Sequence, residues 1–336
     1  MARAKQENAE SKSRFQEALD KLNKAYGVGT VLALDSKSNG DYDVISTGSI
    51  GFDYITLGVG GFVKGRLYEL MGWEGTGKST ICGHAAAECQ KAGGTVLYID
   101  GEHAVDKKYF QALGVDTTKM LIAQPSCGEE GFNIAMEMIN TGDIDLVIID
   151  SDSSLIPKKV LDGEVGDSSI GKKAVLNSNA YPKLKTALSA NNVCVIVISQ
   201  YREKIGVMFG NPTTTQGGHA LKFYSDVRIE VSKSLAKEGD VVYANTTKVK
   251  STKNKVASPY KQVQFEIVYG KGIDRNKEIM EMGSEWEVFR KWGKTITFEE
   301  TKYELEEFDR LLNDNDEFRN KLIDSILNKI KSHVEG

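Results

Sequence analysis

The sequence predicts an α/β fold built on a mostly parallel sheet. Between about residues 45 and 270, stretches with helical spacing separate four short apolar or β-branched runs, which cover residues 66–71, 95–100, 145–150 and 193–199. Strands that are apolar along their whole length are buried on both faces, and this requires helices on both sides of the sheet. A glycine-rich segment directly follows the first run, which places a tight turn at the end of a strand.

The composition is that of an ordinary folded chain. Its 336 residues are 40% hydrophobic and 27% charged, enough to bury a core in one large domain or several smaller ones. No apolar run approaches the roughly 20 residues that a membrane span needs, and the polar N-terminus lacks the apolar block of a secretory signal. The net charge of −4 decides nothing about nucleic acid, because a binding site needs only local positive charge. The cysteines form no CxxC pair, which indicates reduced thiols in the cytoplasm: Cys82, Cys89, Cys127 and Cys194.

Residues 1–35 are predicted to form a helix and a strand outside the sheet. Apolar residues recur at steps of three and four along one helical face: Phe15, Ala18, Leu19, Leu22, Ala25 and Tyr26. The apolar run at residues 30–34 indicates a strand, and residues 35–43 are a polar linker. A helix this short is marginal alone, so its apolar face must be buried against its own core or against another molecule.

The main domain is predicted over residues 36–274, and residues 275–336 are predicted to form a small C-terminal lobe. The lobe is acidic at first and then helical, with apolar residues at helical spacing: Leu305, Phe308, Leu312, Phe318, Leu322, Ile326 and Ile330. The polar run at residues 313–316 separates two helices and can cap the second.

Eight consecutive residues match the phosphate-loop pattern G-x-x-x-x-G-K-[ST]: Gly72, Trp73, Glu74, Gly75, Thr76, Gly77, Lys78 and Ser79. Glycines let the backbone wrap a phosphate with its N–H groups pointing inward. Lys78 reaches the β- and γ-phosphates of a nucleotide, and the Ser79 hydroxyl is available to Mg²⁺. A strand before the loop and a helix from Lys78 onward argue against a chance match, because the helix N-terminus attracts anions. Thr80, the next residue, belongs to the same predicted nucleotide site.

Two carboxylates follow predicted strands at the edge where α/β sheets bind ligands. Asp150 ends an apolar strand, as the Mg²⁺-binding aspartate of phosphate-loop enzymes does, although an aspartate at a strand end is more often a turn former. Glu102 follows the strand at residues 95–100 closely enough to orient a water molecule at the nucleotide. The spacing fits a solvated loop residue equally well. His103 is interpreted as structural.

Several segments, in this order along the chain, resemble the RecA recombinase family. They are residues 45–49, 102–106, 204–212, 217–218, 220–225 and 253–255. The likeness covers roughly residues 12–275 without large gaps, and the residues after it match poorly. It implies a RecA-type phosphate-loop ATPase core, ATP and Mg²⁺ as cofactors, and an oligomerisation arm at residues 1–35.

The resemblance also implies roles for residues at the nucleotide. Glu102 activates the attacking water, with Lys78 at the phosphates and Mg²⁺ held by Ser79 and Asp150. Gln200 senses the γ-phosphate and begins a DNA-binding loop. Contacts with the adenine are implied for Asp106 and Tyr109, and the interface with a neighbouring subunit's ATP is implied to include Tyr269, Lys253 and Lys255. On a strand at residues 247–255, these two lysines would share one side and Lys248 and Lys250 the other. Charges at such an edge otherwise keep a strand solvated.

Two DNA-binding loops are implied at about residues 161–170 and 201–217. Flexible glycines, cations and apolar side chains suit a loop that binds a DNA strand through its phosphates and partly unstacks its bases. An ordinary mobile loop is the commoner meaning of such a composition. The implied DNA contacts are Gly163, Glu164, Ser168, Ile170, Lys172, Lys173, Arg202, Lys204, Gly206, Val207, Met208, Phe209, Gly210, Asn211, Gly217 and Gly218.

Four features depart from the family pattern. Val175 holds the place of a common arginine after the first loop, which leaves open whether Lys172 or Lys173 contacts DNA instead. Tyr201 begins the second loop where an aliphatic residue is usual, and His219 replaces a common asparagine. The C-terminus lacks the long acidic tail, which leaves autoinhibition by such a tail in doubt.

The function that the resemblance implies is ATP-driven recombination and repair. The chain would form helical, head-to-tail filaments on single-stranded DNA, pair them with homologous double-stranded DNA and exchange strands. The expected partners are both forms of DNA and further copies of the chain, with no membrane, and a self-cleaving repressor is left open. A helicase with this core would carry an added N-terminal domain, and a repair ATPase a zinc ribbon and a protease-like domain. A non-catalytic mediator would lack Glu102 or Lys78.

Overall fold

The computed structural model describes residues 2–26, 31, 42–164, 167, 169, 171–203, 213–215 and 217–335. The chain divides into two compact units between Tyr42 and Asp43. In the first unit, helix α1 covers Ala2–Tyr26, and its predicted apolar face includes the exposed side chains of Phe15 and Leu22. Apart from Val31, the predicted strand at residues 30–34 lies outside the described residues.

The second unit is built on one large sheet. A small antiparallel pair, β1 (Val44–Ile45) and β2 (Phe62–Val63), precedes it. The described strands of the large sheet are β3 (Leu67–Gly72), β4 (Val96–Asp100), β5 (Leu121–Ala123), β6 (Leu146–Asp150), β7 (Cys194–Glu203), β8 (Thr213–Thr215), β9 (Val227–Glu238), β10 (Val241–Asn254), β11 (Gln262–Val268) and β12 (Gly272–Ile273). Their order is β12-β11-β10-β9-β3-β7-β6-β4-β5, with β8 beside β7.

The predicted α/β fold is confirmed, because all four predicted strands lie side by side in this sheet. From β9 to β5, neighbouring strands are parallel. From β9 to β12 they are antiparallel, an extension that the sequence analysis did not predict. In β10 the register shifts between Ser251 and Lys253, and the strand ends at Asn254. The predicted strict alternation of lysines through residue 255 is therefore wrong, because the shift interrupts the pleat.

Helices cover both faces of the parallel strands, as the apolar runs predict. The described helices of this unit are α2 (Lys78–Lys91), α3 (Lys107–Ala112), α4 (Gly128–Asn140), α5 (Lys158–Leu161), α6 (Lys172–Ala190), α7 (Ala220–Tyr224), α8 (Arg275–Glu285), α9 (Leu305–Asp314) and α10 (Asp316–Glu335). Alternate residues of one strand enter different cores: Tyr98 packs with Ile81 of α2, and Leu97 packs with Phe132 of α4. Among the described helices, none is long and apolar enough to cross a lipid bilayer.

The C-terminal segment forms a third apolar cluster. Phe308 lies at its centre, within 6.5 Å of the ring centroids of Phe289, Phe298, Tyr303 and Phe318. The two predicted helices are present as α9 and α10, and the Asn315 side chain caps the second by accepting from the Phe318 backbone N–H at 3.0 Å. An antiparallel sheet was not predicted; it comprises β13 (Arg290–Trp292), β14 (Thr295–Phe298) and β15 (Thr301–Glu304). The boundary at residue 274 stays a prediction.

A buried carboxyl joins α8 to the segment before the phosphate loop. Glu278 Oε1 accepts hydrogen bonds from Ser49 Oγ at 2.6 Å and from the Gly51 backbone N–H at 3.0 Å. Its Oε2 is buried and has no hydrogen-bond partner among the described residues. Burial raises the pKa of Glu278 to about 7, and burial also raises the pKa of the nearby Asp53 to about 7.

We expect Glu278→Gln to gain stability relative to the parent protein as the pH rises from about 5 to 8. Folding raises the pKa of this carboxyl from 4.5 to about 7, so the folded state binds more protons than the unfolded state between these values. Its stabilising contribution is therefore present below pH 4.5 and is lost as the pH rises through 7. The amide does not titrate. Between pH 5 and 8, the free energy of unfolding of the variant, measured by urea denaturation, should therefore rise by about 1–3 kcal/mol relative to that of the parent protein. The exposed Glu285→Gln is the control, and a pH-independent difference for Glu278→Gln would contradict the assignment.

Candidate active site

Gly72 and Asp150 end strands β3 and β6, and Gln200 lies where the pairing of β3 with β7 ends. In the sheet register, Gly72 of β3 lies beside Gln200 of β7, and Asp100 of β4 lies beside Asp150 of β6. Parallel strands place their carboxyl ends at one edge, which is where α/β sheets bind ligands. Residues that are far apart in sequence therefore meet here.

Two positions of the phosphate loop require glycine, Gly72 because a backbone oxygen lies close to it and Gly77 because of its backbone conformation. A Cβ on Gly72 would lie 2.2 Å from the Val231 carbonyl oxygen, and a Cβ on Gly77 would lie 2.5 Å from Ile267 Cδ1. Gly77 also has a φ of +93°, a left-handed conformation that side chains disfavour. Lys78 begins α2 directly after it. The loop thus turns between strand and helix as the sequence pattern predicts.

Lys78 carries a buried positive charge at this edge. Its Nζ donates to the carbonyl oxygens of Gly72, at 3.0 Å, and Trp73, at 2.7 Å. Burial lowers the pKa of Lys78, and the carboxylates of Asp150 and Glu102 oppose this effect. An ammonium group held by neutral carbonyls can exchange them for an anion, which compensates its charge better.

Ser79 and Asp150 form the predicted pair of oxygen ligands. Ser79 Oγ donates to Asp150 Oδ2 at 2.6 Å, and Tyr98 OH donates to the same oxygen at 2.6 Å. Burial raises the pKa of Asp150, which the two hydrogen bonds oppose. A hydroxyl and a carboxylate at the end of a phosphate loop suit Mg²⁺, which takes few protein ligands together with phosphate oxygens and water. Among the described residues no larger group of His, Cys, Asp and Glu could hold a metal ion.

Glu102 is tied to the start of the second predicted DNA loop. Gln200 Nε2 donates to Glu102 Oε1 at 2.7 Å, and Ser151 Oγ donates to the same oxygen at 2.7 Å. Ser154 Oγ lies 3.4 Å from it. Among the described residues, none donates to Oε2, so this oxygen is available to a water molecule. The exposed carboxylate is thus oriented by its neighbours.

These side chains line a cavity of about 290 Å³. Its described lining comprises Glu74, Gly75, Gly77, Lys78, Ser79, Thr80, Glu102, Tyr109, Asp150, Ile198, Gln200, Asn245, Ile267 and Tyr269. The hydroxyls of Tyr109 and Thr80 are 2.8 Å apart. Asp106 does not line the cavity; its carboxylate caps α3 by accepting from the Lys108 and Tyr109 backbone N–H groups. The predicted adenine contacts therefore differ in placement: Tyr109 faces the cavity, whereas Asp106 supports the helix that carries it.

Asn245 is a site residue that the sequence analysis missed. Its Nδ2 donates to the Gly75 carbonyl oxygen at 3.3 Å, and its Oδ1 accepts from Tyr269 OH at 2.8 Å. It lies on β10, beyond the predicted parallel strands, and no motif marks it. The side chain holds the phosphate loop and the predicted interface residue Tyr269 together.

Lys253 and Lys255 lie outside this cavity. Lys253 Nζ donates to the carbonyl oxygens of Lys222, at 3.0 Å, and Phe223, at 3.1 Å, near the end of α7. Lys255 Nζ is 3.9 Å from the buried carboxylate of Asp226. Burial lowers the pKa of Lys253, and the neighbouring cations Lys255 and Arg228 act in the same direction. In one chain, these lysines do not reach the phosphate loop, and their role at a neighbour's nucleotide stays a prediction.

Some of the predicted DNA contacts lie within the described residues. In the first loop Gly163 and Glu164 are exposed, and Lys172 and Lys173 at the start of α6 are half-buried. In the second loop Arg202 and Gly218 are exposed and Gly217 is half-buried. The remaining predicted contacts lie outside the described residues: Ser168, Ile170, Lys204, Gly206, Val207, Met208, Phe209, Gly210 and Asn211.

Comparison with known proteins agrees with this geometry. A family model described as the RecA N-terminal domain matches residues 13–274. Protein RecA of Cytophaga hutchinsonii is 48% identical over 290 residues, 86% of this chain and 81% of the relative. Protein RecA of Porphyromonas gingivalis is 42% identical over 318 residues, 94% of this chain and 93% of the relative. Protein RecA of Clostridioides difficile is 44% identical over 289 residues, 86% and 83% of the two chains.

This chain belongs to the RecA family. It is therefore a nucleotide-binding protein of DNA recombination and repair and a DNA-dependent ATPase. The match to the RecA N-terminal domain covers the phosphate loop, Glu102, Asp150, Gln200 and both loop regions.

In this RecA-family chain we expect Asn245→Ala to weaken nucleotide binding about tenfold. The substitution removes the donor to the Gly75 carbonyl and the acceptor of Tyr269. Each lost hydrogen bond is worth about 0.5–1.5 kcal/mol, so the two together correspond to about tenfold in affinity. Titration with a fluorescent ATP analogue measures the change. Lys248→Ala, exposed on the same strand, is the matched control and should bind as the parent does. Equal affinities for both variants would remove Asn245 from the site.

Proposed function

We propose that this chain assembles head to tail on single-stranded DNA, pairs it with homologous duplex DNA and exchanges strands, with ATP and Mg²⁺ between subunits. The observation that carries the proposal is the 2.7 Å hydrogen bond from Gln200 Nε2 to Glu102 Oε1. It joins the residue that begins the second DNA loop to the carboxylate beside the phosphate loop. A change in the loop can thereby reach the group that orients the attacking water.

At the nucleotide, each side chain has a distinct role. Lys78 compensates the charge of the β- and γ-phosphates, and the backbone N–H groups from Gly72 to Ser79 wrap them. Ser79 and Asp150 would hold Mg²⁺, which would offset the negative charge of the phosphates. Tyr109 stacks on the adenine, and Asp106 keeps the helix of Tyr109 in place.

Glu102 orients the attacking water and accepts its proton. Its Oε1 is occupied by Gln200, Ser151 and Ser154, so Oε2 is the atom that contacts water. The Gln200 amide can exchange Glu102 for a γ-phosphate oxygen, because both are anionic acceptors. Loss of the γ-phosphate on hydrolysis then returns Gln200 to Glu102 and loosens the loop. Order and disorder switched by a γ-phosphate is a known mode of coupling.

The second half of the nucleotide site comes from a neighbouring subunit. Lys253 and Lys255 lie together at the end of β10, and their ammonium groups contact carbonyl oxygens and a carboxylate of their own chain. An ATP molecule at the interface offers them a stronger anionic partner. Hydrolysis then requires assembly, because neither subunit alone holds both the phosphate loop and these lysines at one nucleotide.

Assembly uses the arm of one subunit and a sheet edge of the next. Strand β5 is an end strand of the large sheet, and its Leu121 and Ile122 are 40% and 48% exposed. An exposed strand edge pairs readily with an added strand. We place the predicted strand at residues 30–34 of the neighbouring subunit there. One such contact, repeated without closure, gives an open helical filament.

We expect Glu102→Gln to bind ATP and DNA as the parent protein does but to hydrolyse ATP about 10²–10⁴ times more slowly. This range is typical for the loss of a general base. Steady-state hydrolysis with saturating single-stranded DNA measures the rate, and filter binding measures DNA affinity. Lys78→Ala is the contrast, since it should lose nucleotide binding itself. Near-normal turnover in Glu102→Gln would remove it from catalysis.

We expect mixed filaments to recover activity that two separate variants lack. A Lys253→Ala/Lys255→Ala protein keeps its phosphate loop, and a Lys78→Ala protein keeps its lysines, so some junctions in a mixture pair an intact loop with intact lysines. The hydrolysis rate is measured across mixing ratios, with co-assembly checked by energy transfer between labelled subunits. If co-assembled mixtures never exceed either parent variant, the shared site is wrong.

A further inference from the structure

The turn after β6 contacts the candidate active site on one side and a buried polar cluster on the other. A single 3₁₀ turn, Asp152–Ser154, follows the strand. Ser151 Oγ donates to Glu102 at 2.7 Å. The next residue, Asp152, is 1% exposed, and its carboxylate contacts α6 instead. Two consecutive residues thus join two separate hydrogen-bond networks.

The buried cluster is centred on the Asp152 carboxylate. Tyr181 OH donates to its Oδ1 at 2.5 Å, and Asn177 Nδ2 lies 3.2 Å from both of its oxygens. Lys173 Nζ is 3.7 Å from Oδ1 and donates to the Leu155 carbonyl oxygen at 2.5 Å. Asn177 and Tyr181 are both fully buried. A buried carboxylate persists only when it is paired and hydrogen-bonded, so these contacts fix α6 against the turn.

The same cluster contacts the ends of both DNA loops. Lys173 stands in the first turn of α6, directly after the first loop. Asn177 Nδ2 also donates to the carbonyl oxygen of Gly217, where the second loop ends, at 3.2 Å. A Cβ on Gly217 would lie 2.2 Å from Asn177 Nδ2 and 2.8 Å from Asp152 Oδ2. The backbone at the end of the second loop therefore packs directly on Asn177 and Asp152. The same two side chains fix α6, the helix that follows the first loop.

We infer that Asp152 and Asn177 are positioning residues that join the ends of both DNA loops to the turn carrying Ser151, and thereby to Glu102. The inference rests on the proposed function, in which DNA seated on the loops stimulates hydrolysis. A shift of either loop end moves Asn177 or Lys173, both of which are bonded to the turn. Because Ser151 and Asp152 share a peptide bond, the turn passes that shift to the hydroxyl that orients Glu102. This route is separate from the direct contact of Gln200.

The test compares two asparagines of one helix. Asn177→Ala removes the bridge between Asp152 and Gly217, and Asn179→Ala, exposed on the same helix, is the matched control. For Asn177→Ala we expect an unchanged KM for ATP and an unchanged hydrolysis rate without DNA. The maximal rate with single-stranded DNA should fall about tenfold, the order of one lost bridging hydrogen bond in a buried network. Asn179→Ala should match the parent protein in all three quantities.

Three outcomes would overturn the inference and leave the proposed function intact. Parent-like stimulation by DNA in Asn177→Ala would show that the cluster does not couple loops to hydrolysis. An equal loss of the rates with and without DNA would show that Asn177 only supports the fold or the nucleotide site. An equal loss of stimulation in Asn179→Ala would show that the effect is not specific to the cluster. If the parent protein is not stimulated by DNA, the proposed function itself fails and the inference with it.

If Asn177→Ala does not fold, a second variant tests whether the Asp152 cluster couples the loops to hydrolysis. Tyr181→Phe removes one hydroxyl from the cluster and keeps the ring that packs on Phe132, 5.2 Å away between centroids. We expect its DNA-stimulated rate to fall about threefold with the rate in the absence of DNA unchanged. Unchanged stimulation in a folded Tyr181→Phe protein would refute the role of the cluster.

Discussion

The carboxyl ends of the parallel strands β3, β4, β6 and β7 must lie at one edge of the sheet, and the functional contacts follow from this constraint. The register aligns Gly72 with Gln200 and Asp100 with Asp150, although the members of the first pair are more than a hundred residues apart in sequence. The end of each strand then places a different functional side chain close to the phosphate loop. Glu102, which we propose orients the attacking water, follows β4, and the turn that contacts α6 follows β6. The proposed second DNA loop begins at the end of β7. The candidate nucleotide site and the ends of the proposed DNA loops therefore lie at one row of strand ends.

The charges at this edge are balanced within the chain and remain available to a ligand. Lys78 is satisfied by two carbonyl oxygens, and Asp150 by two hydroxyls, so neither charge is buried without partners. These neutral partners are weaker than a phosphate or a divalent cation. A nucleotide and a divalent cation can replace these contacts without leaving either charge unpaired.

The sequence analysis predicted the parts of the site that local patterns encode. The glycine-rich loop and the apolar strands carry their own signals, because spacing and side-chain type determine them. The spacing of Glu102 fits a solvated loop residue equally well, and its catalytic role is implied by the family resemblance. Asn245 and Tyr98 carry no such signal. Each lies on a different element from the residue that it contacts. Only the order of the strands in the sheet brings Asn245 to Gly75 and Tyr98 to Asp150. The Asp152 cluster could not be predicted from the sequence for the same reason. Asn177 and Tyr181 have helical spacing that fits an ordinary core face, and their partner Asp152 lies on another element.

The central claim is that assembly on DNA and hydrolysis of ATP are one coupled process. The most direct measurement is the rate of ATP hydrolysis by the full chain with and without single-stranded DNA, with electron microscopy of the same samples. We expect DNA to raise the rate and helical filaments to appear under the same conditions. A rate of ATP hydrolysis that DNA does not change would contradict this coupling. Stimulation by DNA of a protein that remains monomeric would contradict it as well.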